Sequence, residues 1–145
     1  MAEIKKSIFI NAPVEKVFDL ALHQERIPEW LAGMEAVHDV PPGPPEVGTT
    51  YKWTYNMSGM RFQGTNTVTE IVPNARFVVQ STGGIDSTWI WTYEPREGGT
   101  LLTCEMSYTV PGGGLGKFAD KLLVERTNVK NLERSLANIK KLIEG

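Results

Sequence analysis

Apolar residues alternate with polar ones at strand spacing over most of this chain, and the pattern changes abruptly to helical spacing near its end. Ile4, Ile8 and Ile10 mark a first strand, and Asn11-Ala12-Pro13 closes it with a helix-start signal that places proline in the first turn. Val14, Val17, Phe18 and Leu22 then recur at helical spacing, and Ile27-Pro28-Glu29-Trp30-Leu31 begins a second short helix after a break. A second strand, Met34 to Val40, stops at Pro41-Pro42-Gly43-Pro44-Pro45, where four residues have no N–H to give to a ladder. From Gly48 the spacing predicts an antiparallel meander with strands near Thr49 to Met57, Met60 to Val72, Ala75 to Thr82, Asp86 to Glu94 and Thr100 to Val110. Ser58-Gly59, Pro73-Asn74, Gly83-Gly84 and the run from Pro95 to Gly99 supply hairpin-compatible turns between them. After Pro111-Gly112-Gly113-Gly114, the residues Leu115, Phe118, Leu122, Val129, Leu132, Leu136, Ile139 and Ile143 mark one helix of about thirty residues.

This order predicts an α+β domain spanning 1–145, with a seven-stranded curved antiparallel sheet, two short helices and one long C-terminal helix. Such a sheet buries one face only by curling around the final helix, which leaves a cavity between them. Two stretches say what lines it. Tyr51-Lys52-Trp53-Thr54-Tyr55 and Trp89-Ile90-Trp91-Thr92-Tyr93 place a ring at every second residue, so each strand presents three rings on one face. Rings this bulky leave gaps unless small side chains interleave, and few are available on that face. The pattern reads as the wall of a small-molecule site. By the same alternation Phe62, Gly64, Asn66 and Val68 point inward on the long fourth strand, and Leu102, Cys104, Met106, Tyr108 and Val110 on the last.

Composition narrows the function classes. Fifteen basic residues against 17 acidic ones leave a net charge of -2, and 41% apolar with 22% charged residues is ordinary for a soluble protein. Nothing recommends a nucleic-acid partner. No apolar run is long enough to span a bilayer, and Met1-Ala2-Glu3-Ile4-Lys5-Lys6 leads into a strand rather than a secretion signal, so the expected location is cytoplasmic. One cysteine and two histidines are too few for a disulfide or a zinc site, and no metal or other cofactor is expected.

Several short signatures in this order resemble the polyketide cyclase and START-like (SRPBCC) superfamily. They are the run Ile10 to Phe18, Ile27-Pro28-Glu29-Trp30, Val47-Gly48-Thr49, Pro95 through Thr100, and Leu132-Glu133 through Leu136, Ile139 and Lys140. The resemblance covers essentially the whole chain and implies a helix-grip fold, in which an antiparallel sheet wraps a C-terminal helix around a cavity. It implies nothing about the contents, because these are scaffold signatures, shared by lipid carriers, hormone receptors and aromatase or cyclase subunits. Trp30 resembles the family's plug between the short helices and the sheet and is assigned to the core.

The candidate ligand contacts are Tyr51, Trp53, Tyr55, Phe62, Asn66, Trp89, Trp91, Met106, Tyr108, Phe118, Leu122 and Arg126. Asn66 on an inward face either ties to backbone or offers a hydrogen bond to a ligand. On the final helix, 100° per residue from Leu115 puts Phe118, Ala119, Leu122, Arg126 and Val129 in one inward sector. Arg126 then either meets an anionic group in the cavity or sits at the edge of the stripe and reaches solvent. His23 and His38 fall where surface residues are expected, Cys104 in the packed interior, and the glycine run before the helix as a hinge. These features predict binding or transport of a hydrophobic, aromatic or lipid-like small molecule by a protein expected to be monomeric. The alternative is a cyclase, dehydratase or isomerase acting on such a ligand, for which a buried carboxylate, Glu70 or Glu105, would be the base to find. A chaperone-cofactor-like module, the third reading, calls for an exposed apolar patch that the pattern lacks.

Overall fold

In the computed structural model, which describes residues 2–57, 59–83, 86–109 and 121–145, all seven expected strands form one antiparallel sheet. The strands are β1 (Ala2–Ile10), β2 (Met34–His38), β3 (Thr50–Met57), β4 (Met60–Val72), β5 (Arg76–Thr82), β6 (Ser87–Arg96) and β7 (Gly99–Tyr108). Helices α1 (Val14–Asp19) and α2 (Ile27–Trp30) lie between β1 and β2, joined by short 3-10 turns at Leu20–Leu22 and Gln24–Arg26, and α3 (Lys121–Glu144) follows the sheet. Val110 and the glycine run lie outside the described residues.

The strand order β1-β7-β6-β5-β4-β3-β2 makes a plain meander of β2 to β7, with β1 returning to pair with β7. The α1–α2 segment therefore carries the chain from one edge of the sheet to the other. Local chemistry sets the boundaries. Pro13 caps α1, its carbonyl accepting from the Lys16 and Val17 N–H groups at 3.0 and 3.2 Å. Glu97 and Gly98, both at positive φ (47° and 81°), form the tight β6–β7 turn whose twist matches the flanking strands. β2 ends at His38, two residues before the expected limit, because Asp39 turns to φ 57° ahead of the proline run.

The inward set on β4 is Phe62, Asn66 and Val68, all buried, as the alternation predicts. A bulge between Val68 and Glu70 then shifts the phase and leaves Glu70 on the outer face, 3.0 Å from Arg76. On β7, Leu102, Cys104, Met106 and Tyr108 are buried, and Glu105 faces outward against Lys5 at 3.3 Å.

Helix α3 buries Asn128, Leu132, Ser135, Leu136, Ile139 and Ile143. This arc corrects the expected orientation of Arg126, which is exposed. Arg126 is two residues from Asn128, or about 200° around the helix, so the stripe set by Leu132 and Leu136 turns it away from the sheet. Ser135 of this arc and Asn138 beside it hold the end of α2 and the chain that follows. Ser135 Oγ accepts from the Ala32 N–H at 2.9 Å, and Asn138 Nδ2 donates to the Trp30 carbonyl at 3.1 Å. At the far end Lys140 Nζ donates to the Phe9 carbonyl at 2.8 Å, and Glu144 accepts from the Asn11 N–H at 2.7 Å. The last helix thus ties down both ends of the α1–α2 crossover.

Candidate functional site

A cavity of about 90 Å³, measured as the space open to the centre of a water-sized sphere, lies between the concave face of the sheet, the α1–α2 segment and α3. A single water needs only about 10–15 Å³ on this measure, so the void has room for a small ring-containing guest. The expected rings touch in pairs, and the space remains between the sheet and the helices.

The sheet contributes Tyr51, Trp53 and Tyr55 from β3, Asn66 from β4, Phe77, Val79 and Ser81 from β5, and Ser87, Trp89, Trp91 and Tyr93 from β6. Leu102, Met106 and Tyr108 of β7 complete that side, and Val17, Leu20, Ala21, Gln24, Ile27 and Trp30 face them from the α1–α2 segment. Eight of the twelve candidate contacts are thereby brought together: Tyr51, Trp53, Tyr55, Asn66, Trp89, Trp91, Met106 and Tyr108. Phe62 is buried opposite Tyr55 but outside the wall. Exposed Arg126 is also outside it, Phe118 lies outside the described residues, and of Leu122 only the helical backbone is described.

Trp30, assigned to the core from sequence, is in the wall as well, its ring edge-on to Trp91 at 5.5 Å and 88°. Trp89 stacks on Trp91 at 6.3 Å and 11°. Sequence reasoning missed Gln24, Ser81, Ser87 and Asn128. Asn128 alone had a readable signal, since it stands four residues before Leu132 on the apolar stripe.

Among the described residues the Asn66 side chain makes no tie to backbone and instead joins a side-chain relay, an arrangement the sequence reading did not offer. Its Nδ2 donates to the Tyr51 hydroxyl at 3.0 Å, that hydroxyl donates to Gln24 Oε1, and Gln24 Nε2 donates to the Ala21 carbonyl. The relay fastens the 3-10 turn to the sheet across the cavity floor. Asn131 Nδ2 similarly donates to the Tyr55 hydroxyl at 2.8 Å. Trp89 Nε1 donates to Ser87 Oγ at 3.0 Å. Three buried donors in wall residues, Trp30 Nε1, Trp53 Nε1 and the Tyr108 hydroxyl, have no hydrogen-bond partner among the described residues.

No Asp, Glu, Lys, Arg or His is among the described residues of the wall. Glu70 and Glu105, the carboxylates singled out as bases, both lie on the outer face. Among the described residues no group of three His, Cys, Asp or Glu is placed to hold a metal ion. Burial lifts the Cys104 thiol well above its usual range, with the Glu105 carboxylate adding to the shift, so the thiol is held protonated and unreactive.

All four tyrosines of the chain are in the wall, and burial raises the hydroxyl pKa of each; the amides of Asn66, Asn131 and Asn128 oppose the shift at Tyr51, Tyr55 and Tyr108. Unfolded tyrosine ionises near pH 10, so each folded-state value lies above its unfolded one. The stability this represents is fully present below about pH 10 and is lost as the pH climbs further. In a spectrophotometric titration the phenolate band is expected to rise together with loss of the circular dichroism of the fold. Phenolate formed by a protein still fully folded would contradict this.

A family model described as polyketide cyclase / dehydrase and lipid transport matches residues 1–144. Among solved structures, a protein from Thermus thermophilus superposes with a TM-score of 0.83 at 21% identity, covering 99% of this chain and 97% of that one. The Zhui aromatase/cyclase from a Streptomyces species gives 0.82 at 11% identity, covering 99% and 93%. A START superfamily protein from Mycobacterium smegmatis gives 0.76 at 14% identity, covering 98% and 97%. At these identities the likeness is one of fold. No curated protein matches the chain.

Proposed function

The chain belongs to the polyketide cyclase / dehydrase and lipid transport family, and from that footing we propose that it binds a hydrophobic, ring-containing small molecule in the cavity under α3. The observation that carries this reading is the placement of every tryptophan and every tyrosine of the chain, four of each, in one cavity wall. A protein that used its rings only to fill a core would distribute them through it; here they surround a space. Tyr51, Trp53, Tyr55, Asn66, Trp89, Trp91, Met106 and Tyr108 are the contacts, with Trp30 added from α2. Covering about 300 Å² of apolar guest surface is worth on the order of 7 kcal/mol before the costs of association, so area alone sets an upper limit of about 10 μM on the affinity.

Binding is favoured over turnover by the chemistry of the wall. Cyclisation or dehydration needs a group that takes up a proton near neutral pH. The titratable side chains described in the wall are tyrosines, whose shifts carry them away from neutrality. Titration of the intrinsic fluorescence with a panel of aromatic and lipid-like ligands tests the reading, because the whole emission comes from the wall. A blue shift or quenching that saturates at roughly tens to hundreds of micromolar ligand is expected. A spectrum indifferent to the entire panel would remove the proposal.

A further inference from the structure

Five inward polar residues of the wall lie on one line across the sheet. Directly paired positions run from Tyr51 to Asn66 between β3 and β4, and from Asn66 to Ser81 between β4 and β5. The line continues from Ser81 to Ser87 between β5 and β6, and from Ser87 to Tyr108 between β6 and β7. Residues paired in this way share a face, so five strands build one continuous polar rung, and all five members line the cavity. The neighbouring rung, Val68, Val79, Trp89 and Met106, is apolar, and the next brings Phe77 opposite Trp91. Along the strands the rung lies between Trp53 and Tyr55 of β3 on one side and the ring-rich rows of Trp89, Trp91 and Phe77 on the other.

Tyr51 and Asn66 are satisfied within the relay to Gln24, and Ser87 accepts from Trp89. Ser81 and Tyr108 differ. They are 4% and 1% exposed; Ser81 Oγ makes no hydrogen bond among the described residues, and the Tyr108 hydroxyl is in addition fully buried without one. The Asn128 amide comes near enough to the Tyr108 hydroxyl to temper its pKa, without the geometry of a hydrogen bond. A buried hydroxyl without a partner, as at Tyr108, is destabilising, and this cost is recovered when a guest supplies the partner. With no charged side chain described in the wall, a carboxylate or ammonium brought to the same place would stay unpaired and lose its hydration without compensation.

Resting on the binding function above, we propose that this rung is the cavity's polar subsite. Ser81 and Tyr108 hydrogen-bond the hydroxyl or carbonyl oxygen of an uncharged guest whose rings lie against Trp89, Trp91 and Phe77. The two hydroxyls set which end of the guest enters first and reject its charged analogues.

Calorimetric titration at pH 7 with 2-naphthol, 2-methylnaphthalene and 2-naphthoate tests this. The first two differ by a hydroxyl in place of a methyl group, and the third carries a charge. Wild-type protein is expected to prefer 2-naphthol to 2-methylnaphthalene by about tenfold and to bind 2-naphthoate more weakly than either. In Ser81→Ala and in Tyr108→Phe the affinity ratio of 2-naphthol to 2-methylnaphthalene is expected to fall several-fold; should Tyr108→Phe not fold, Ser81→Ala carries the comparison. An unchanged ratio in the variants, or 2-naphthoate bound as tightly as 2-naphthol, overturns the subsite and leaves the binding function standing. Failure of all three probes to bind overturns the subsite too, and only a silent fluorescence panel in addition overturns the function.

Discussion

Replacing Trp91 by alanine is expected to cost about 3–5 kcal/mol of stability, the range for deleting a large buried ring. Trp91 is 7% exposed and stands where two halves of the fold meet, edge-on to Trp30 of α2 and stacked on Trp89 of its own strand. Its removal joins new empty space to an existing void, so α2 has nothing to settle against and little relaxation can soften the loss. Chemical denaturation followed by far-ultraviolet circular dichroism measures the change. Trp91→Phe, which keeps a ring at the contact with Trp30, is expected to lose less than half as much. A loss below about 1 kcal/mol for Trp91→Ala would show that the ring hangs loosely in the wall and that the α2–sheet contact is not built on it.

The second large effect is expected at Gly64. A Cβ placed there would lie 2.4 Å from Trp53 Cζ2 and 2.5 Å from the Thr82 carbonyl oxygen. Gly64 is paired directly with Trp53, and the indole lies over it in the space a side chain would occupy. Alanine at such a strand position ordinarily gains about 0.5–1 kcal/mol over glycine from chain entropy. Here the clash wins, because one of the two atoms is backbone in the neighbouring strand and cannot swing aside. Gly64→Ala is expected to lose about 2–3 kcal/mol, lowering the melting temperature by roughly 5–10 °C, with a shift in emission as the Trp53 ring moves. An unchanged or raised melting temperature would refute it.

Much of the fold was legible because turn chemistry and alternation agree. Met60 to Val72 was readable to the residue, bounded by Ser58-Gly59 and Pro73-Asn74, and its inward set held until the bulge after Val68. The ring-bearing strands were legible for the same reason, since three rings at period two leave one choice of face. The final helix was misphased around Arg126. Counting began at Leu115, outside the described residues, whereas the buried arc is anchored at Leu132, Leu136 and Ile139. Ser135 is buried on that arc although polar, and an apolar pattern cannot mark a residue whose role is to hold a neighbouring element. Gln24 was invisible for a related reason, as its partner Tyr51 is 27 residues away and nothing local announces the pairing. The polar rung needed the register of four strand pairs, and register follows from turn geometry and bulges that spacing alone does not specify. Ser81 and Ser87 therefore read as ordinary strand serines until the sheet brought them side by side.

The placement of α3 also bears on how the chain is synthesised. The meander from β2 to β7 is complete before the last helix leaves the ribosome, yet its concave face meets Leu132, Leu136 and Ile139 only from that helix. Until those residues emerge, the tryptophans and tyrosines of the nascent chain lie in a trough covered by the α1–α2 segment alone, a state prone to aggregation. The pairing of β1 with β7 adds contacts between residues about a hundred positions apart, which slow folding further. Translation that outpaces closure thus leaves holdase chaperones a hydrophobic surface to guard for as long as the helix takes to arrive.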